Sequence, residues 1–168
     1  MPLDPKSETM LLKVHPGLAR RVRALLMACE AKGCPMRVTQ GLRDGMEQTA
    51  LYAQGRQGLD EVNRLRKLAC LPPITSEQNQ CPVTDARLGF SYHNYGLAID
   101  LCYATGDPYH EDGHSLTWEQ IGAMIEANGL VWGGRFRMRP DRPHCQWSDG
   151  VSLADLRAGK VPPMEATP

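Results

Sequence analysis

The clearest periodicity in the chain lies over residues 17–33. Leu18, Val22, Leu25, Leu26 and Cys29 recur at helical spacing, with Arg20, Arg21 and Arg23 largely off that face. The pattern predicts an amphipathic helix with Gly33 as its left-handed stop. Alternation follows at once. In residues 35–41, PMRVTQG, Met36 and Val38 oppose Arg37 and Thr39, which predicts a short strand. Asp44 precedes Glu47 by three, a capping-box pattern opening a helix that runs toward Gln54 and ends at Gly55. Residues 96–103, GLAIDLCY, form an apolar run of strand length. Thr117 and Gln120 repeat the capping box ahead of Ile121, Met124 and Ile125, and Gly129 is the stop. Short strands are predicted at 130–132 and 143–147.

Residues 57–83 break this rhythm. Asp60 is placed to cap a short helix carrying Val62, Leu65 and Leu68, and the polar, proline-containing stretch LPPITSEQNQCP follows. The region reads as an inserted subdomain or long loop, not as a domain boundary. Helices and strands in this irregular order predict α+β architecture rather than regular βαβ alternation. A chain of 168 residues fits one domain. We expect it to span 1–160, with 161–168 as a flexible tail.

Charge narrows the partners. The 19 basic and 19 acidic side chains cancel, which argues against a nucleic-acid partner and against a polybasic membrane anchor. No stretch nears 18 apolar residues, so no membrane span is expected. The start, MPLDPKSETMLLKVHPG, shows no basic segment followed by an apolar run. Synthesis in the cytoplasm without a signal peptide is therefore expected, with cysteines initially reduced. Cys29 and Cys34, and Cys70 and Cys81, lack the paired spacing of a zinc ribbon. Cys102 and Cys145 sit in apolar strand contexts that suit buried thiols. Cys70 and Cys81 bracket the insert, and a disulfide between them stays open as a possibility for an oxidising compartment.

The candidate chemistry lies in SYHNYGLAID, with His93 and Asp100, and in DRPHCQW, with Asp141 and His144. Two imidazoles and a carboxylate form a three-ligand zinc set that leaves a fourth position for water. Asp141 is the nearest carboxylate able to take that water's proton. Spacing alone leaves ordinary turn or core roles open for each of them, because five histidines and 19 carboxylates make chance triples easy. Taken alone, Arg43 reads as a surface arginine after a strand, while a turn role stays open for Ser91 and core filling before a tight Gly133–Gly134 turn for Trp132. The YHEDGH segment, with His110, Glu111 and His114, reads as a polar surface loop, Glu111 being a distant second candidate for the base. His15 reads as structural.

An ordered set of blocks adds to this. It comprises Gln40-Gly41-Leu42-Arg43, Glu47-Gln48, Leu51-Tyr52, Gln54-Gly55-Arg56, SYHNYGLAID, Val131-Trp132-Gly133-Gly134 and DRPHCQW. From Val14 to Trp147 the chain resembles the peptidoglycan-cleaving zinc peptidases that include the D-alanyl-D-alanine carboxypeptidases and dipeptidases. It looks most like their L-alanyl-D-glutamate endopeptidase branch, common among phage endolysins. The resemblance implies a hedgehog/D-Ala-D-Ala peptidase-like fold, a small antiparallel sheet with flanking helices. It implies one Zn2+ on His93, Asp100 and His144, Asp141 as general base, and Arg43 over the site to stabilise the oxyanion. Ser91 is an implied substrate contact, and we add Gln48, Tyr52 and Trp132 as further candidates.

The implied substrate is the peptidoglycan stem peptide, cut at L-Ala–D-Glu, with the enzyme expected to act as a monomer. A D,D- or L,D-carboxypeptidase is the rival within the class. A non-catalytic, metal-containing wall-binding module is the rival outside it, and Asp141 and Arg43 speak against that. The implied setting is host lysis by a phage, with release from the cytoplasm to the cell wall in the periplasm through a holin pore and no separate wall-binding domain. Three departures stand out. Arg56 to Thr84 is longer than the usual connection, Cys145 replaces an aromatic or apolar residue, and Gln146 stands where glutamate is common.

Overall fold

A computed structural model describes residues 3–163. Among these residues the elements are, in order, α1 (Pro5–Leu11), α2 (Pro16–Ala31), β1 (Met36–Gln40), α3 (Gly45–Ala53), α4 (Leu59–Leu68), β2 (Ala98–Tyr103), α5 (Trp118–Ala127), β3 (Val131–Trp132), β4 (His144–Gln146) and α6 (Leu153–Arg157), with short 3-10 turns between several of them. The strands form one antiparallel sheet in the order β1-β2-β4-β3. The α+β, single-domain expectation holds. The predicted helices and strands on either side of the insert fall within a few residues of their observed limits.

Period-2 alternation divides the labour on β2. Ile99, Leu101 and Tyr103 enter an apolar cluster with Leu18, Val22 and Leu25 of α2 and Ile121 and Ile125 of α5. Asp100 points the other way. Cross-strand register then sets the site, because Asp100 lies opposite His144 while Ile99 lies opposite Cys145. Facing residues in an antiparallel pair share one side of the sheet. Asp100 and His144 therefore share the face turned away from the apolar cluster.

Several local expectations are corrected. Gly58, not Asp60, is the N-cap of α4, and Asp60 sits in its first turn beside the helix's positive end. Asp44 caps α3 by accepting from the Glu47 N–H at 2.8 Å, but the Glu47 carboxylate accepts from Gln40 instead of completing the box. The Thr117–Gln120 box is complete. Two short helices, α1 and α6, were not foreseen. Each opens on its own cap, Asp4 before Pro5 and Ser152 with Asp155. Residues 161–163 lie outside any helix or strand, and the rest of the expected tail, 164–168, lies outside the described residues.

The insert is organised by polar bonds. Asn63 accepts from the Ile74 N–H at 2.8 Å and donates to its carbonyl at 3.0 Å. Arg66, buried, donates to the Pro72 carbonyl and to Gln54, and Gln54 donates to the Gln78 carbonyl. Gly55 has φ +75°, and a Cβ there would lie 2.4 Å from the Pro82 nitrogen. Only glycine lets the returning chain pass so close. Cys70 and Cys81 are exposed free thiols, while Cys29, Cys34, Cys102 and Cys145 are buried.

Candidate metal centre and cleft

His93 sits in the 3-10 turn Tyr92–Tyr95, just before β2. Ser91 caps this turn, its hydroxyl accepting from the His93 N–H at 3.3 Å, and Gly96 at φ 65° turns the chain into the strand. The turn is tied to the exit of β1, because the Arg43 N–H donates to the His93 carbonyl at 3.0 Å.

Three ligand atoms converge. His93 Nε2 and His144 Nδ1 are 3.3 Å apart, and each is 3.3 Å from Asp100 Oδ1. Bonds of about 2.0–2.1 Å to a tetrahedral zinc ion would set ligand atoms about 3.3–3.4 Å apart, so the triangle fits. The outer ring nitrogens fix the tautomers. His93 Nδ1 lies 2.8 Å from the Gly41 carbonyl oxygen, and His144 Nε2 lies 3.0 Å from Gln146 Oε1. Each oxygen accepts, so each outer nitrogen carries the proton and each inner one presents a lone pair. Two lone pairs and a carboxylate aimed at one point form a cation site, with its ligands oriented from behind.

Burial works against the charged form of Asp100, but His144 and His93, when their inner nitrogens are also protonated, donate to it, outweigh burial and hold the carboxyl well below its ordinary range. Burial likewise opposes the His144 imidazolium, and the Asp100 hydrogen bond and charge override it, raising its pKa.

The trio opens on a cleft of about 590 Å³, whose lining includes Arg43, Ser91, His93, Asp100, Asp141 and His144. These six are the expected ligands, base, oxyanion donor and serine contact. Solvent reaches part of Asp141, yet desolvation of its carboxyl, with the Asp100 charge behind it, raises its pKa. The Asp141–His144 turn is held closely. Asp141 donates its N–H to the Gly133 carbonyl at 2.9 Å, and Trp132 Nε1 donates to the Arg142 carbonyl at 2.8 Å. A Cβ on Gly133 would lie 2.5 Å from the Asp141 carbonyl oxygen, so glycine is required there for contact.

Arg43 is buried beside the trio, its Nη2 3.7 Å from Asp100 Oδ2. Burial lowers its pKa against the opposing pull of Asp100. Its Nε is the one buried side-chain polar atom without a partner among the described residues.

Gln48, Tyr52 and Trp132 are not brought to the cleft wall. Gln48 is fully buried, accepts from Arg43 Nη1 at 3.2 Å and donates to the Ala86 carbonyl. Tyr52 accepts from Arg87 and lies under the Arg56 guanidinium. Trp132 is buried behind the Asp141 turn. Glu111 does not line the trio's cleft either and accepts from the Trp118 N–H at the start of α5. His15 caps α2.

Sequence reasoning gave no role to two residues. Asn94 donates to the Arg43 carbonyl and to Gln48, and Gln146 orients His144. The signal for Gln146 was its place two residues after His144 on a strand, which puts both on one face.

This fold and site define a class, that of zinc-peptidase-like α+β domains. A family model described as D-alanyl-D-alanine carboxypeptidase matches residues 84–147. The peptidoglycan L-alanyl-D-glutamate endopeptidase CwlK of Bacillus subtilis is 30% identical over 141 residues, spanning 79% of this chain and 72% of the relative. Two solved structures share the fold. The Serratia marcescens L-Ala D-Glu endopeptidase ChiX has a TM-score of 0.51 at 21% identity, over 86% of this chain and 88% of its own. The LD-carboxypeptidase LdcB has a TM-score of 0.52 at 19% identity, over 88% and 72%. The chain belongs to the D-alanyl-D-alanine carboxypeptidase-like family of zinc peptidases, metallopeptidases that hydrolyse peptidoglycan.

Proposed function

We propose that this chain is a zinc-dependent endopeptidase that hydrolyses the L-Ala–D-Glu bond of the peptidoglycan stem peptide. The observation that carries the reading is the converging His93–Asp100–His144 trio with Asp141 and Arg43 on the same cleft. Support for that bond comes from the Bacillus subtilis relative.

His93, Asp100 and His144 would hold the ion. When bound, zinc supplies Lewis acidity, acidifying a water molecule and polarising an amide carbonyl. Asp141, its carboxyl made more basic by desolvation, accepts the proton of the attacking water and returns it to the leaving amine. The water oxygen bonds to the carbonyl carbon, the C–N bond breaks, and the products are a carboxylate and a free amino group. Arg43 donates to the carbonyl oxygen as its charge grows. Gln48 and Asn94 hold Arg43 in place, Trp132 holds the Asp141 turn, and Ser91 contacts substrate. The setting we propose is phage-driven host lysis, checked by whether an expressing cell lyses only with a co-expressed membrane pore.

The test is digestion of purified Gram-negative sacculi, with products identified by mass spectrometry. A new D-Glu amino terminus is expected, absent with His93→Ala. Release of terminal D-Ala alone would make the enzyme a carboxypeptidase. Wall binding without any product would make it a binding module.

A further inference from the structure

The trio does not close off the end of its cleft. A second hollow of about 370 Å³ shares Val83, Asp100 and Asp141 with the first and continues past them to Thr39, Gln40, Tyr109 and Pro143. The reacting centre thus lies between two limbs of one groove, and the limbs differ in charge. Apart from the shared carboxylates, no charged side chain lines the second limb. The first limb adds Arg43 and Arg139 against a single further carboxylate, Asp85.

Arg139 belongs to a basic loop in a neutral chain. Between Arg135 and Arg142 four arginines stand against Asp141 alone. Arg135 is committed to Glu119 and Glu126. Arg139 reaches across the cleft mouth, donating to Asp85 at 2.9 Å and to the Pro82 carbonyl at 3.1 Å. Arg56 donates to the same Asp85 carboxylate at 3.0 Å. One carboxylate between two guanidinium groups leaves a positive charge in excess. The Arg139 side chain is 57% exposed, so its fork, which has five donors, can take a second anion.

We infer that the groove reads the direction of its substrate. The limb lined by Arg139 takes the acidic, leaving side of the stem peptide, and Arg139 recognises the free α-carboxylate that D-Glu keeps when it is linked through its γ-carboxyl. The neutral limb takes the muramoyl–L-Ala side, which has no free carboxylate until the bond is cut. A guanidinium fork suits a carboxylate, and the charge-assisted bond is among the stronger polar contacts. This inference rests on the endopeptidase reading above and adds the residue that orients the bound chain.

The experiment uses the zinc-loaded enzyme and two matched muropeptides, one with the D-Glu α-carboxylate free and one with it amidated. Wild type is expected to favour the free acid by about tenfold to a hundredfold in kcat/KM, mostly through KM. In Arg139→Gln that preference collapses, because the free acid falls to the level of the amide, which itself changes little. Asp85→Asn breaks the bridge but keeps the guanidinium, and is expected to retain or enlarge the preference. Equal losses on both substrates in Arg139→Gln, or no preference in wild type, overturn the inference while leaving the endopeptidase reading intact. Cleavage of neither substrate at L-Ala–D-Glu overturns both.

Discussion

Two walls of the same cleft are held by different forces. The wall that carries the trio is sheet at Asp100 and His144, with His93 on the turn that leads into it. Ile99 and Leu101 flank Asp100 on β2 and are fully buried, and Cys145 beside His144 is fully buried too. Any slip of β2 against β4 by one residue would turn Asp100 toward the core and expose those apolar side chains. Packing thus enforces the register on which the triangle depends. The opposite wall, from 57 to 90, buries a single apolar side chain, Val62. It is built from Asn63, Arg66, Gln54 and Asn79 bonding to backbone, and from the two arginines on Asp85. The difference separates precision from adaptability. Ligand atoms sit on the wall that cannot shift, and the substrate is met by one that opens at lower cost.

The sharpest way to break the comparison is to remove chemistry from the turn that leads into the rigid wall without touching its geometry. Asp141→Asn keeps the size of the side chain and the backbone bond to Gly133. It should lower kcat by about 10²–10⁴-fold, the range for a lost general base. Metal content, read by mass spectrometry of the native protein, should stay at one ion per chain. Loss of the ion together with activity would show that Asp141 supports the trio rather than moving a proton.

The rigid wall is also the part that was legible beforehand. Apolar periodicity marked α2, β1, β2 and α5, and the ligand strings sat on or beside those elements. The resemblance then gave roles that spacing had left open. Three expected contacts were harder to place, because a motif shows that a residue matters and not which way its side chain points. Gln48 holds Arg43 from beneath, and Trp132 braces the Asp141 turn. The insert was opaque for a different reason. Its order rests on single side-chain-to-backbone bonds such as Asn63 to Ile74, which leave no period in the sequence. The same holds for Asp85, whose meaning depends on Arg56 and Arg139 arriving from 29 and 54 positions away.

A milder change behind the metal sharpens the point. Gln146→Leu keeps the strand and the volume but removes the acceptor from His144 Nε2. The imidazole is then freer to rotate and less basic. Metal affinity should fall about 10–100-fold, the usual scale for a lost outer hydrogen bond. Competition with a chromogenic chelator reads it directly. Gln146→Glu should retain or raise affinity, since a carboxylate accepts the same bond more strongly. Equal affinity in Gln146→Leu would mean that packing alone fixes the His144 ring.

The smallest expected effect concerns stability, and it tests whether the two walls unfold separately. Asn63→Ala removes both bonds to Ile74, leaving that loop's N–H and carbonyl to water. Loss of about 1–3 kcal/mol is the scale for such groups, and it falls on the insert. Amide exchange should therefore quicken across residues 57–83, while amides of β2 and α2 keep their protection and the denaturant midpoint moves little. Leu101→Ala is the contrasting variant. It opens a hole in the apolar cluster and should cost about 2–5 kcal/mol, lowering the midpoint for every probe at once. If Asn63→Ala lowered protection in β2 as much as in the insert, the two walls would be one cooperative unit. The polar wall would then owe its position to the core, and its adaptability would have to come from the Arg139–Asp85 bridge alone.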